Sequence, residues 1–97
     1  MKKLALFLLL GSLVIADQKG VIESIDHQNK TITVNGSLIK VLPNTKIEED
    51  SCWLAWDISK KFADLRVGDI VELDLFYSGD MLTASKIEIQ CVRNRAY

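Results

Sequence analysis

Two cysteines, one histidine, two closely spaced tryptophans and a short acidic run are the residues of this 97-residue chain that could do chemistry. Cys52 and Cys91 lack the C-x-x-C spacing of a redox pair and the clustering of a zinc site. In an oxidising compartment they read as one disulfide, which closes a loop of about 39 residues and stabilises a small fold by ~4 kcal/mol in the chain-entropy treatment. Two buried thiols or a metal pair are the alternatives. His27 lies in the polar cluster His27-Gln28-Asn29-Lys30, with no nucleophile positioned beside it in sequence. No Gly-x-Ser-x-Gly elbow, Gly-rich phosphate loop or metal-ligand cluster occurs. These absences predict no catalytic residues, no cofactor and no resident metal, and so a protein that is not an enzyme.

The remaining candidates each have two readings. Trp53, Trp56 and Tyr77, with Phe76, concentrate the aromatic side chains, and an exposed platform of such rings contacts a ligand or partner. The same rings could instead plug one end of a small barrel. Glu48-Glu49-Asp50, with Asp57 beyond, offers carboxylates to Ca²⁺ but lacks the spaced acids and glycine of a calcium loop, so it reads as a solvated acidic loop. Glu72 and Asp74, two apart, read as the wet face of a strand.

The elements that must position these residues are short strands. Gly20 to Asp26 reads as the first, and the cluster after it as a turn. Thr31 to Val34 alternates, placing Ile32 and Val34 on one face and the threonines on the other. Asn35-Gly36 between two β-rich runs is a strong hairpin signal, and Ser37 to Leu42 is the return strand. Pro43 and Asn44 interrupt pairing before a further short strand at Thr45 to Glu48. Ser59 to Leu65 predicts a helical turn, and Arg66 to Asp69 a tight connection in which Asp64 and Asp69 cap the backbone around Gly68.

Ile70 to Tyr77 alternates strictly, Ser78-Gly79-Asp80 turns the chain, and Met81 to Ile89 returns. In that last strand Leu82 and Ala84 differ in parity from Ile87 and Ile89, so a bulge near Ser85-Lys86 is required to keep all four inward. The three-residue step from Ile22 to Ile25 asks for the same device. Two such shifts in a small sheet predict the curvature of a closed barrel.

The first sixteen residues read differently. Lys2 and Lys3 precede the apolar run Leu4 to Leu10, and Val14-Ile15-Ala16 ends on a small residue, which is the layout of a secretory signal peptide. Residues 1–16 are therefore expected to be removed, leaving 17–97 as one domain in the periplasm or medium with no stable membrane anchor. Cleavage leaves ten basic against thirteen acidic residues, a net charge of about −3. That balance disfavours nucleic acid as a partner, since backbone affinity comes from Lys and Arg.

Four segments then carry a resemblance: Gly20-Val21-Ile22-Glu23-Ser24-Ile25-Asp26, Thr31-Ile32-Thr33-Val34-Asn35-Gly36, Asp64 through Glu72, and Ala84-Ser85-Lys86-Ile87-Glu88-Ile89. In that order they resemble a bacterial family of exported small β-barrel domains of unknown function, over nearly all of residues 19–90. The motifs are turn residues (Asn35, Gly36, Gly68, Asp69) and core aliphatics, which specify a fold and not a chemistry. The chain is also similar in outline to periplasmic copper and silver chaperones of the CusF type. Those bind Cu(I) through one histidine and two methionines under a tryptophan, soft donors that suit the ion. Here Trp53 could match the tryptophan, but Trp56 and Ile58 stand where the methionines would fall and Gly36 near the place of the histidine. His27 and Met81 are the only such donors after the leader, so the ligand set is missing.

The resulting expectation is an all-β fold, a small antiparallel β-barrel of OB-like character with about five to six strands and one short helical turn. Its role would be binding an unidentified protein or envelope component through Trp53, Trp56 and Tyr77. A small-ligand or metal carrier related to the copper chaperones is the alternative.

Overall fold

The computed structural model describes residues 14–52 and 57–91. Six strands follow in chain order: β1 (Val14–Asp26), β2 (Thr31–Val34), β3 (Ser37–Glu49), β4 (Ile58–Ser59), β5 (Ile70–Ser78) and β6 (Met81–Ile89). A 3-10 turn, Phe62–Asp64, precedes β5. The sheet runs β2-β1-β5-β6-β3-β4, and a further pairing of β2 with β3 closes it, so five strands form a barrel and β4 adds to its flank. The fold is all-β and OB-like.

All pairings are antiparallel except β3 with β6, which is parallel. An odd number of strands cannot alternate direction around a closed ring, so one parallel seam is unavoidable.

Strand periodicity explains the core. Ile22, Ile32, Val34, Ile39, Val41, Val71, Leu73, Leu75, Ile87 and Ile89 point inward with Ala84, Ile47 and Leu65, each at most 6% exposed. The curvature comes from bulges. Ile22 pairs with Val34 and Ser24 with Thr33, leaving Glu23 as the extra residue. Asp74 pairs with Lys86 and Leu75 with Ala84, leaving Ser85 extra, and the Ser85 hydroxyl donates to the Asp74 carbonyl at 3.1 Å. That shift brings Ala84, Ile87 and Ile89 all to the core.

Three elements differ from the sequence expectation. Ser59, expected to open the helical turn, belongs with Ile58 to β4, and the turn is confined to Phe62–Asp64. The segments on either side of Pro43-Asn44 are one bent strand, β3, whose ladder to β6 skips from Val41 to Lys46. The Thr45 hydroxyl spans the gap, accepting from the Leu42 amide at 2.8 Å and donating to the Ala84 carbonyl at 2.6 Å. At the other end, β1 begins at Val14 and not Gly20, pairing Val14 with Phe76 and Ile15 with Leu75 before its register shifts ahead of Gln18. Among the described residues no helix is long and apolar enough to cross a membrane.

Candidate functional site

The outward faces of β2, β3 and β6 form an open groove of about 710 Å³. Its floor is Thr31, Thr33 and Thr83, whose side chains alternate with the core residues of the same strands. Register sets them in a row, because Thr31 pairs with Lys40 and Lys40 with Thr83. Leu38 and Met81 give the floor apolar borders, and Leu38 is 54% exposed.

Two turns wall the groove. The β1–β2 turn contributes Asp26 and Asn29, and the β5–β6 hairpin contributes Ser78. Asp26 shapes its turn by accepting from the amides of Gln28 at 3.0 Å and Asn29 at 3.1 Å and from the Asn29 amide side chain at 2.8 Å. Those bonds, the Asn29 backbone first, hold the Asp26 carboxyl below its ordinary pKa. The Lys40 ammonium donates to the Asn29 carbonyl at 3.1 Å, tying floor to wall. The arrangement offers hydroxyls, one amide and apolar side chains, with one cation and one anion. It suits a neutral, partly apolar ligand and holds no nucleophile–base pair.

The hairpin signal at Asn35-Gly36 corresponds to a type I′ turn, with φ of 53° and 79°. The Asn35 side-chain amide also donates to the Lys19 carbonyl at 3.1 Å. Gly68 sits at φ 99° in a turn that docks on β1, its amide donating to the Ile22 carbonyl at 2.9 Å. The Asp69 carboxylate accepts from the Arg66 amide at 2.9 Å, and that of Asp64 from the Lys61 amide at 2.9 Å. Cys52 and Cys91 are disulfide-bonded, with Cα atoms 5.6 Å apart. Tyr77 is half exposed near the tip of the β5–β6 hairpin, outside the groove lining. Trp53 and Trp56 lie outside the described residues.

The acidic residues split. Glu48 pairs with Lys46 at 3.3 Å and Lys86 at 3.8 Å, and Glu49 with Lys60 at 3.3 Å. Asp50 and Asp57 meet Glu88, with one carboxylate oxygen of each within 4.8 Å of the others. Burial raises the Glu88 pKa, and the neighbouring Asp57 charge raises it further. Nothing in the sequence pattern joined Glu88 to that pair, since it comes from the last strand.

The groove residues were also missed as a set. The alternation Thr31–Val34 marked the threonines as outward, but only barrel closure brings β6 beside β3 and makes that face concave.

The geometry defines a class, the OB-like barrel. The crystal structure of Ag(I)-bound CusF is similar, at 17% identity over 79% of this chain and 97% of that one, with a TM-score of 0.53. A Cu(II) structure of a tryptophan-to-alanine variant of CusF from Escherichia coli is similar as well, at 18% identity over 78% and 90% of the two chains, TM-score 0.52. Residues 19–88 match the family described as a domain of unknown function, DUF5666, and the chain belongs to that family. No curated protein matches the sequence significantly. The described residues do not fit a soft metal ion. His27 packs edge-on against Phe62, with ring centroids 5.5 Å apart, Met81 lines the groove without it, and both cysteines are bonded.

Proposed function

We propose that this domain is a binding module and not an enzyme, exported to the cell envelope, and that the groove across β2, β3 and β6 receives a neutral segment of a protein or other envelope component. The observation that carries the reading is the position of the groove. It covers the strand 2–3 face and is walled by the β1–β2 turn and the β5–β6 hairpin, which is where OB folds take their ligands. The balance of Lys40 against Asp26 argues for a neutral ligand over a nucleic acid. Export is supported by the leader pattern of residues 1–16 and by the disulfide. Tyr77 adds an exposed ring next in sequence to Ser78 of the rim.

A photo-crosslinking residue at Leu38, in the protein expressed in its own envelope, tests the groove. The control position is Val67, which is 62% exposed and lies outside the groove lining. A discrete adduct from position 38 and none from 67 is the expected result. No adduct at 38, or the same adduct from both positions, overturns the groove assignment. The N-terminus of the recovered protein tests export, with Asp17 expected and an uncleaved Met1 in the cytoplasm overturning it.

A further inference from the structure

A second, smaller cleft lies between the bent strand β3 and the 3-10 turn. It has a volume of about 300 Å³, at the lower end of the ~300–1,000 Å³ range of small-molecule sites. Its wall is apolar, with Val41, Ile47 and the Phe62 ring among the lining residues. Its charge is one-sided, because Lys30, Lys60 and Lys61 line it. Three of the chain's twelve basic residues and none of its thirteen acidic ones therefore line this one cleft, in a protein of net charge −1.

We infer that this cleft is a binding site for a small amphipathic anion, an aromatic or short-chain carboxylate. Its acid group would meet the lysines while its apolar body lies against Phe62 and the flank of β3.

The positions of the three ammonium groups support this. The Lys30 ammonium stands 5.2 Å from the centre of the Phe62 ring and spends one donor on the His27 carbonyl at 3.0 Å, leaving two for a ligand. Lys60 pairs with Glu49, whose carboxylate is not part of the lining. Lys61 forms no ion pair among the described residues and lines the cleft. The backbone around it is fixed, since the Lys60 amide donates to the Ile47 carbonyl at 2.8 Å and the Lys61 amide to Asp64. An aromatic wall beside clustered cations binds an aromatic acid by dispersion and charge together, and neither part suffices for a neutral analogue.

The inference is independent of the groove, which shares only Leu42 with this cleft. The test is an NMR titration of the oxidised protein with 2-naphthoate, and with 2-naphthalenemethanol as the neutral probe. Saturable shifts of Phe62, Ile47 and Lys61 are expected with the acid, with affinity at least tenfold lower for the alcohol.

Lys61→Glu changes an exposed side chain and should weaken naphthoate at least tenfold while leaving remote resonances unmoved. Lys30→Asn provides a second variant, because asparagine tolerates the φ of 55° found there, and should weaken binding several-fold. No saturable shift, equal affinity for acid and alcohol, or shifts confined to Thr33 and Leu38 would overturn the assignment.

Discussion

The Thr45 hydroxyl donates to the Ala84 carbonyl at 2.6 Å, and this one bond holds the parallel seam together where Pro43 and Asn44 leave the ladder. The same oxygen accepts from the Leu42 amide, so one side chain satisfies two backbone groups that strand pairing does not reach. Thr45→Val keeps the shape and removes both bonds. The expected cost is ~1–3 kcal/mol, since two part-buried polar groups lose their partner. Urea melts of the two proteins measure it, and a loss under about 0.5 kcal/mol would show that water replaces the hydroxyl.

Gly20 is required by proximity and not by its backbone angles. A methyl group built there would stand 2.6 Å from the Asn35 amide nitrogen and 2.7 Å from the buried Val34 side chain. Gly20→Ala is therefore expected to destabilise by ~1–3 kcal/mol and to disturb the hairpin resonances first. Unchanged stability would mean that Asn35 swings away freely from its bond to Lys19.

Glu88 predicts a pH dependence of the opposite sign to the usual carboxylate. Burial, then the charge of Asp57, raises its pKa in the folded state, with Asp50 and Glu72 adding to the rise and Lys86 opposing it. The folded state therefore holds this proton more tightly than the unfolded chain. The contribution is fully present below the ordinary glutamate value and is lost as pH rises through the raised one. Glu88→Gln should be more stable than the parent at neutral pH, with the difference shrinking as pH falls through that window. Chemical denaturation across pH 4 to 7, an interval chosen around the ordinary carboxylate value of about 4.3, checks the sign. Parallel pH curves for the two proteins would remove Glu88 as the cause.

Removing the disulfide has a predictable thermodynamic effect. Cys52 and Cys91 are separated by 39 positions in sequence, and the double serine variant should lose ~4 kcal/mol of stability. Denaturant midpoints with and without reductant measure this, and an unchanged midpoint would mean that the unfolded chain is already compact there.

The sequence revealed the barrel through parity. Thr31–Val34, Asn35-Gly36 and Ile70–Tyr77 alternate or turn so plainly that strands and hairpins follow from local chemistry, and the odd step at Ser85 located a bulge. The two parity shifts, at Ile22 to Ile25 and at Ser85, pointed to the curvature of a closed barrel, and the resemblance to exported β-barrel domains agreed. Which strands meet at the seam is encoded in no local pattern. Pro43-Asn44 misled because proline ends regular pairing, whereas here the strand bends and a threonine bridges the gap. The groove and the lysine cleft were illegible for another reason. Thr83 meets Lys40 only after the chain has closed on itself, and Lys60 nears Ile47 through the pairing of β3 with β4, a strand too short to read from its sequence. Spacing along one strand says nothing about which distant face it will border.

The disulfide lies immediately beyond the parallel seam, where Glu49 pairs with Ile89 and the Asp50 amide reaches the Ile89 carbonyl at 2.8 Å. That seam joins segments distant in sequence, such as Lys40 with Thr83, a separation exceeded among the barrel pairings by β1 with β5, and distant pairings are slow to find. With the sulfurs bonded, the far end of the seam is already tethered before any strand forms. The search then becomes a zipper that runs from a few residues away. Oxidation thus shortens the search for the seam as well as deepening the minimum, and leaves the pairing of β1 with β5 as the longest-range step of closure.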